Sequence, residues 1–98
     1  MTPVVIRRTA EIDVMAIEDW YEAQRPGLGR EFRAAVDAGI TRIADNPLAY
    51  AERYRGVRRA VLRRFPYVIW YRALENLVVV LACVHGRRDP RMIRSRLR

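Results

Sequence analysis

The spacing of apolar residues changes near the middle of the chain, and this change limits the fold more than any other feature. Up to residue 49, apolar residues recur at intervals of three and four, as they do along one face of an α-helix. Beyond residue 56, apolar and arginine residues roughly alternate, and the apolar run LVVVLACV follows at residues 77–84. Such patterns are typical of half-buried and fully buried β-strands. The sequence therefore predicts helices first and a sheet second.

Two helices are predicted in the first half of the chain. The first carries an apolar stripe that we expect to face the core: Ile12, Ala16 and Trp20, with Ile17 and Tyr21 beside them. Thr9 is its expected N-cap, and the glycines and proline of residues 24–30 end it. The second helix carries apolar residues at steps of four, four and three: Phe32, Val36, Ile40 and Ile43. It is expected to end before Pro47, since a residue that precedes proline is pushed out of the helical region.

Strands are predicted at residues 57–65, 66–72 and 77–85, and a short one at residues 3–8. Residues 53–56 are expected to form a polar loop. The element order is β-α-α-β-β-β, which predicts a single α+β domain over residues 1–98. Its helical hairpin packs on one face of a mostly antiparallel four-stranded sheet, with the first strand at an edge. Asp89-Pro90 predicts the start of a short C-terminal helix.

The positive charge is concentrated in the second half. The net charge is +8, and all nineteen basic residues are arginine. Residues 1–49 hold six arginines and eight acids, net −2, whereas residues 50–98 hold thirteen arginines and three acids, net +10. In a C-terminal helix, four arginines would share one side: Arg87, Arg91, Arg94 and Arg98. This distribution suits an anionic partner, and such a partner would relieve the self-repulsion of the basic half.

Several other classes of function have little support in the residues. The longest apolar run is shorter than the ~20 residues that span a bilayer, so we expect a cytoplasmic protein without a membrane contact. Cys83 lies inside an apolar run and is expected to be a small core residue. Cys83 and His85 have no further ligands nearby, and zinc needs three or four. We therefore expect no metal and no cofactor.

The chain resembles the RelE/ParE superfamily of bacterial toxins, the toxic halves of type II toxin–antitoxin pairs. The likeness lies in IEDWYEAQRPGLGREF at residues 17–32, GVRRAVLRRFPYVIWYR at residues 56–72 and VHGRRDP at residues 84–90. The RFPY and HGRRDP segments are similar to the ParE-like, plasmid stabilisation branch. That resemblance implies a toxin that inhibits DNA gyrase without a hydrolytic site of its own. RelE-like relatives, by contrast, are ribosome-dependent mRNA endonucleases.

The nuclease alternative depends on the only histidine. RNA cleavage needs a base, an acid and cations for the phosphate, and His85, Arg64 and Arg87 could supply part of this set. Arginine does not give up its proton at working pH, so the acid–base pair is incomplete. RelE-like nucleases usually add a tyrosine, lysine or glutamate, and the tail RMIRSRLR contains none of them. We therefore expect no catalytic residue, and expect His85 to hold a turn.

The resemblance also implies partners and surfaces. An antitoxin with a ribbon-helix-helix DNA-binding part and an acidic or amphipathic tail is expected to wrap the toxin, which would contact DNA only through that complex. Four aromatic residues are the predicted antitoxin contacts: Trp20, Tyr21, Trp70 and Tyr71. Eight arginines are the predicted target-binding set: Arg58, Arg59, Arg63, Arg64, Arg87, Arg88, Arg91 and Arg94. An inactive module that only binds an antitoxin is a third interpretation.

Overall fold

The computed structural model describes residues 1–97, so Arg98, the last member of the predicted arginine stripe, lies outside the described residues. The elements follow the chain in this order: β1 (Val4–Ile6), α1 (Arg8–Gln24), α2 (Leu28–Asp45), β2 (Glu52–Tyr54), β3 (Val57–Val61), β4 (Tyr67–Ala73), β5 (Val78–His85) and a 3₁₀ helix (Pro90–Arg96). None of the helices in this part of the chain is both long and apolar enough to cross a membrane.

The strands form one sheet in the order β1-β5-β4-β3-β2. β1 runs parallel to β5 at one edge, and every other neighbouring pair is antiparallel. Side chains alternate between the two faces of a strand, so Tyr71 of β4 packs under the helices while Trp70 packs on the opposite face. The α1–α2 hairpin covers the first face, and the 3₁₀ helix covers part of the second. The predicted α+β class and the edge position of the first strand are confirmed.

The sheet has one strand more than predicted. Residues 53–54, expected to belong to a polar loop, are part of the strand Glu52–Tyr54, which pairs with β3 and places Glu52 opposite Arg58. Arg55 and Gly56 join the two strands, and both have positive φ, 41° and 81°. Two residues with positive φ make the type I′ turn that matches the twist of a hairpin. A turn this tight leaves no room for a loop, so the flanking residues pair.

The orientation of α1 differs from the prediction. Ala10 and Val14 are buried, and Ile17 and Tyr21 pack against the same core, at steps of four, three and four. The stripe of Ile12, Ala16 and Trp20 therefore faces outward, and its predicted place in the core was wrong. The helix begins at Arg8 after an N-cap at Arg7 that makes no side-chain bond, so Thr9 is not the cap.

Two polar side chains of α1 account for this orientation. Strand β1 ends at Ile6, which leaves the edge of β5 open beyond Val80. The Thr9 hydroxyl approaches the Leu81 carbonyl oxygen at 3.5 Å, and the Cys83 N–H donates to the Asp13 carboxylate at 2.9 Å. Because Thr9 and Asp13 must face this edge, the rotation of the helix about its axis is fixed, and Ala10 and Val14 turn toward the sheet.

The C-terminal segment is held at the same edge. Arg96 donates two hydrogen bonds to Asp13, at 2.6 and 3.0 Å, and the two side chains are only 23% and 16% exposed. Ile93 is buried against the sheet face that carries Trp70. Asp89 accepts a hydrogen bond from the Arg91 N–H, and Pro90 is the first helical residue, as predicted. The predicted short C-terminal helix is present as a 3₁₀ helix.

Candidate functional site

The outer face of α1 carries an apolar patch, which we call the α1 stripe: Ile12, Met15, Ala16 and Trp20. Ile12, Met15 and Trp20 are each more than half exposed. Single exposed apolar residues are ordinary, but four at helical spacing form a continuous surface of the kind that partners cover. The Trp20 ring stands edge-on against Tyr21 at 5.1 Å between ring centroids, which connects the stripe to the core.

The four aromatic residues predicted to contact an antitoxin do not share one surface. Trp20 is 57% exposed, whereas Trp70 and Tyr71 are buried. Tyr71 donates its hydroxyl to the Pro47 carbonyl oxygen, and burial raises the pKa of that hydroxyl. Tyr21 is half-buried and packs against Phe32, Phe65 and Tyr67. Trp70 and Tyr71 are therefore core residues, although Trp70 also lines a groove on its face of the sheet, and Trp20 is the one of the four that faces outward.

His85 closes the turn that follows β5. Its Nδ1 accepts a hydrogen bond from the Arg87 N–H at 3.0 Å, and its carbonyl oxygen accepts one from the Arg88 N–H at 2.9 Å. The first bond leaves Nδ1 without a proton, so the neutral ring carries its hydrogen on Nε2. The histidine thus has the turn-holding hydrogen bonds that its place at a strand end predicted.

The structure does not assemble the three residues of the predicted nuclease alternative in one cavity. Arg64 donates to Glu31 of α2 at 2.8 Å, and this bond, with that of Arg25, holds the pKa of Glu31 below its usual range. A cavity of about 250 Å³ lies beside His85. Its lining comprises Asp13, Ala16, Ile17, Tyr67, Cys83, Val84, His85 and Arg88, and includes neither Arg64 nor Arg87.

Tyr67 is a neighbour of His85 that the sequence reasoning missed. The two residues are paired across β4 and β5, and their ring centroids lie 5.3 Å apart in an edge-to-face arrangement. A tyrosine hydroxyl is a proton donor that an arginine cannot replace. The length of the turn between the two strands could not have shown this pairing, because the register shifts by one residue between Trp70 and Tyr71.

Cys83 has the inert environment predicted for it. It is buried under α1, and burial, followed by the nearby Asp13 carboxylate, raises the pKa of its thiol to about 12. A thiol that keeps its proton at neutral pH is a poor nucleophile. Among residues 1–97, no three His, Cys, Asp or Glu side chains are grouped as ligands of one metal ion would be.

On the other face of the sheet, a groove of about 220 Å³ separates the β2–β3 hairpin from the 3₁₀ helix. We call it the arginine groove, and it is lined by Arg53, Tyr54, Trp70, Pro90, Arg91, Ile93 and Arg94. The Arg94 guanidinium lies over the Tyr54 ring, 5.1 Å from its centroid. Three lining residues are cationic and none is acidic. Arg91 is paired with the adjacent Asp89, so Arg53 and Arg94 supply the positive charge of the groove that is not neutralised.

The two predicted arginines of β3 point to opposite faces. Arg58 lies on the helix side, where its guanidinium donates to the Tyr50 carbonyl oxygen at 2.6 Å. Arg59 lies on the groove side, with its guanidinium 5.8 Å from the centre of the Trp70 ring. In both residues the Nε atom is buried without a hydrogen-bond partner in the described part of the chain. Arg58 therefore supports the β2–β3 hairpin, and Arg59 extends the positive charge of the groove.

The other predicted arginines occupy the turns and the C-terminal segment. Arg63 and Arg87 are exposed, and Arg88 donates to the Met92 sulfur at 3.2 Å. Arg91 pairs with Asp89 at 2.7 Å, which lowers the pKa of Asp89. Within residues 1–97, the second half of the chain therefore has eight arginines without an acidic side chain in contact: Arg53, Arg55, Arg59, Arg63, Arg72, Arg87, Arg88 and Arg94.

The sequence model of the ParE toxin of type II toxin–antitoxin systems, parDE, matches residues 4–90. The chain therefore belongs to the ParE toxin family of type II toxin–antitoxin systems. It is 27% identical over 93 residues to Toxin ParE2 of Mycobacterium tuberculosis strains CDC 1551 and H37Rv, covering 94% of this chain and 89% of that protein.

Solved structures share the fold. A chain from the chromosomal ParDE system of P. aeruginosa superposes with a TM-score of 0.75 at 21% identity, covering 87% of this chain and 96% of that one. A chain from the toxin–antitoxin complex RelBE2 of Mycobacterium tuberculosis superposes with a TM-score of 0.59 at 24% identity, covering 86% and 96%. The architecture is thus common to structures from both the ParE-named and the RelE-named systems.

Proposed function

We propose that this toxin arrests growth by inhibiting DNA gyrase through a protein–protein contact made by its arginine-rich surface. The observation that carries the proposal is a contrast between two sets of residues. Within residues 1–97, eight arginines of the second half lack an acidic partner, whereas the single histidine is engaged in a turn. Unpaired guanidinium groups bind carboxylates strongly because they present a planar fork of donors. Inhibition by contact needs such a surface and needs no general base.

The antitoxin is proposed to cover the other side of the molecule. The α1 stripe offers an apolar surface at helical spacing, and an amphipathic helix from an antitoxin tail would bury it. Such a tail is disordered when free, so it orders as it binds. We propose a ribbon-helix-helix antitoxin, and contact with DNA only through the complex. Membership of a family of toxin–antitoxin toxins supports this partner.

A second candidate function is that of a ribosome-dependent mRNA endonuclease. The specific observation in its favour is the pairing of His85 with Tyr67 beside a cavity of about 250 Å³. The histidine and the tyrosine could act as a base and an acid, while Arg88, which lines the same cavity, could contact a phosphate. Arg64 is turned toward Glu31, so this candidate lacks one of its predicted cations.

The experiment that separates the two is pulse labelling of DNA and of protein synthesis in the minutes after the chain is induced without antitoxin. Gyrase inhibition predicts that DNA synthesis falls first. An earlier fall in protein synthesis would overturn the proposal and favour the endonuclease. No arrest of either would leave a module that only binds its antitoxin.

Substitutions at the two sites sharpen this result. For a gyrase inhibitor, charge reversal at Arg87 and Arg88 is expected to reduce growth arrest more than His85→Ala does. For an endonuclease, His85→Ala and Tyr67→Phe would each abolish toxicity in a chain that remains folded by circular dichroism. Tyr71→Phe is a matched control for the loss of a tyrosine hydroxyl outside the cavity.

A further inference from the structure

The arginine groove combines unpaired cations with an apolar wall. Arg53 and Arg94 have no acidic side chain in contact within residues 1–97. Trp70 and Ile93 are buried side chains that also line the groove, and Pro90 lies at its rim. A ligand that fills such a site needs a negative group for the arginines and an apolar group for the wall.

The aromatic rings of the groove are already covered by cations, and this limits the chemistry of the ligand. Tyr54 has guanidinium groups within 5.5 Å of its ring centre, from Arg55 and Arg94. Trp70 carries Arg59 at 5.8 Å and is 4% exposed. Nucleic-acid bases bind single-stranded sites chiefly by stacking on open rings, and neither ring is open. The groups left for a ligand are the N–H donors of the arginines, which suit oxyanions.

The size of the groove favours side chains over a polynucleotide. About 220 Å³ accommodates one or two side chains, but not a run of nucleotides. A peptide in which acidic and apolar residues are interleaved supplies both kinds of group at this scale. Its backbone can lie across the rim while its side chains enter.

We infer that the arginine groove binds a short acidic and apolar peptide segment of the protein that the toxin inhibits. Carboxylates of the segment accept hydrogen bonds from Arg53 and Arg94, and an apolar side chain packs against Pro90 at the rim, above the buried Trp70 and Ile93. The identity of the partner rests on the proposed function, whereas the chemistry of the groove does not. The α1 stripe lies across the sheet from the groove, so the inhibited protein and the antitoxin have separate primary contact surfaces.

The test uses the full-length toxin and fluorescence anisotropy of a short labelled peptide in which Glu and Leu alternate. A peptide with Gln in place of Glu, and a single-stranded RNA of similar length, are the comparison probes. The variant is Arg53→Glu/Arg94→Glu, with Arg53→Gln/Arg94→Gln as a milder change. Arg30→Glu is the control for the effect of one reversed charge, because Arg30 is exposed on the helical hairpin. Circular dichroism confirms that each variant folds.

We expect the double charge reversal to weaken Glu–Leu peptide binding by about tenfold or more, and the Gln variant by less. Arg30→Glu should stay within about twofold, because it alters only the long-range field. The Gln–Leu peptide should bind more weakly than the Glu–Leu peptide. Equal losses of binding free energy per reversed charge in the groove variant and in Arg30→Glu would show diffuse attraction and would overturn the inference. Tighter binding of the RNA, with the same dependence on Arg53 and Arg94, would overturn it as well.

Affinity for the antitoxin is measured on the same variants. The groove variant is expected to retain it, and a loss as large as the loss of peptide binding would assign the groove to the antitoxin instead. The two proposals can fail separately. If protein synthesis falls first on induction but the peptide still binds through Arg53 and Arg94, the gyrase proposal fails and the chemistry of the groove stands. If DNA synthesis falls first and the peptide does not bind, the groove assignment fails alone.

Discussion

The two faces of the sheet are covered to very different depths. On the helix face, α1 and α2 bury a continuous core that includes Phe32, Ile43, Ile69 and Tyr71. On the other face a single 3₁₀ helix contributes one buried side chain, Ile93. Because the free energy of unfolding rises with the apolar surface removed from water, the helix face supplies most of the stability. The thinner cover leaves the second face free to carry charge.

Both regions contain ion pairs, but the helical hairpin has more of them than the groove, where Arg91 pairs with Asp89. On the helical hairpin, Glu31 pairs with Arg25 and also with Arg64 from the β3–β4 turn, and Glu18 pairs with Arg33. Around the groove, Arg53, Arg59 and Arg94 are without acidic partners in the described residues. Cations that are not neutralised within the fold repel one another and favour an anionic partner. The helix face therefore supplies most of the stability, and the other face is the one that we propose for target binding.

The largest expected effect is at the ion pair that joins the two faces. Asp13→Ala removes the partner of Arg96 and of the Cys83 N–H, and leaves a largely buried cation unpaired. We expect the free energy of unfolding in urea to fall by about 3 kcal/mol. Glu11→Ala, an exposed acid on the same helix, is the control. A change below about 0.5 kcal/mol, the range of ordinary surface substitutions, would show that the 3₁₀ helix does not depend on this pair.

The next effect concerns the α1 stripe. Trp20→Ala is expected to weaken antitoxin binding by about 2 kcal/mol, because a large exposed aromatic residue at the centre of a contact dominates its affinity. Isothermal titration calorimetry with the purified antitoxin measures it. Leu74→Ala, an exposed apolar residue in the β4–β5 turn, is the matched control and should leave the affinity unchanged. Equal losses of antitoxin affinity in the two variants would contradict the assignment of the α1 stripe to antitoxin binding.

A smaller effect is expected where the two helices meet. A Cβ at Gly29 would lie 2.7 Å from the Glu18 backbone oxygen, so Gly29→Ala must push α1 and α2 apart. We expect a loss of about 1–2 kcal/mol in unfolding free energy. At Gly86 a Cβ would meet Val68 at an ordinary 3.5 Å, so Gly86→Ala is the control. Similar thermal midpoints for both variants would contradict the close approach of the helices.

The smallest expected effect is on acid stability. Glu22 accepts the N–H groups of Gly27 and Gly29, and these bonds hold its pKa below the usual range. The stabilisation is therefore present above the ordinary glutamate pKa and is lost as the pH falls through the lower, folded-state pKa. Glu22→Gln should flatten this part of the stability–pH curve, while Glu75→Gln in an exposed turn should not. An unchanged curve in Glu22→Gln would mean that another carboxylate is responsible.

Much of the fold follows from the sequence because hydrophobic periodicity and turn residues set it. The change from helical to strand spacing predicted the element types, and the Asp89-Pro90 pair marked the start of the last helix. The strand β2 was missed because the residues ERY carry no apolar signal. Only the turn at Arg55-Gly56 makes them pair, and an arginine with positive φ is uncommon.

The surfaces were harder to predict, for a physical reason. Helix α1 has two apolar stripes at nearly the same spacing, and the sequence favoured the one with the larger side chains. The stripe of Ala10 and Val14 is buried instead, because Thr9 and Asp13 bond the open edge of β5. The spacing of apolar residues within a helix carries no information about such a long-range contact. For the same reason, the sequence showed that the second half is basic, but it did not show which arginines form ion pairs. The pair between Arg64 and Glu31 is an example.

The division of roles between the two faces is tested most directly by co-expression. Arg53→Glu/Arg94→Glu and Trp20→Ala are each induced with and without the antitoxin, and growth is followed. We expect the groove variant to lose growth arrest while it still binds the antitoxin. We expect Trp20→Ala to arrest growth but to escape neutralisation. If both variants lose the same activity, the two faces do not have separate roles, and the proposed division between target binding and antitoxin binding is wrong.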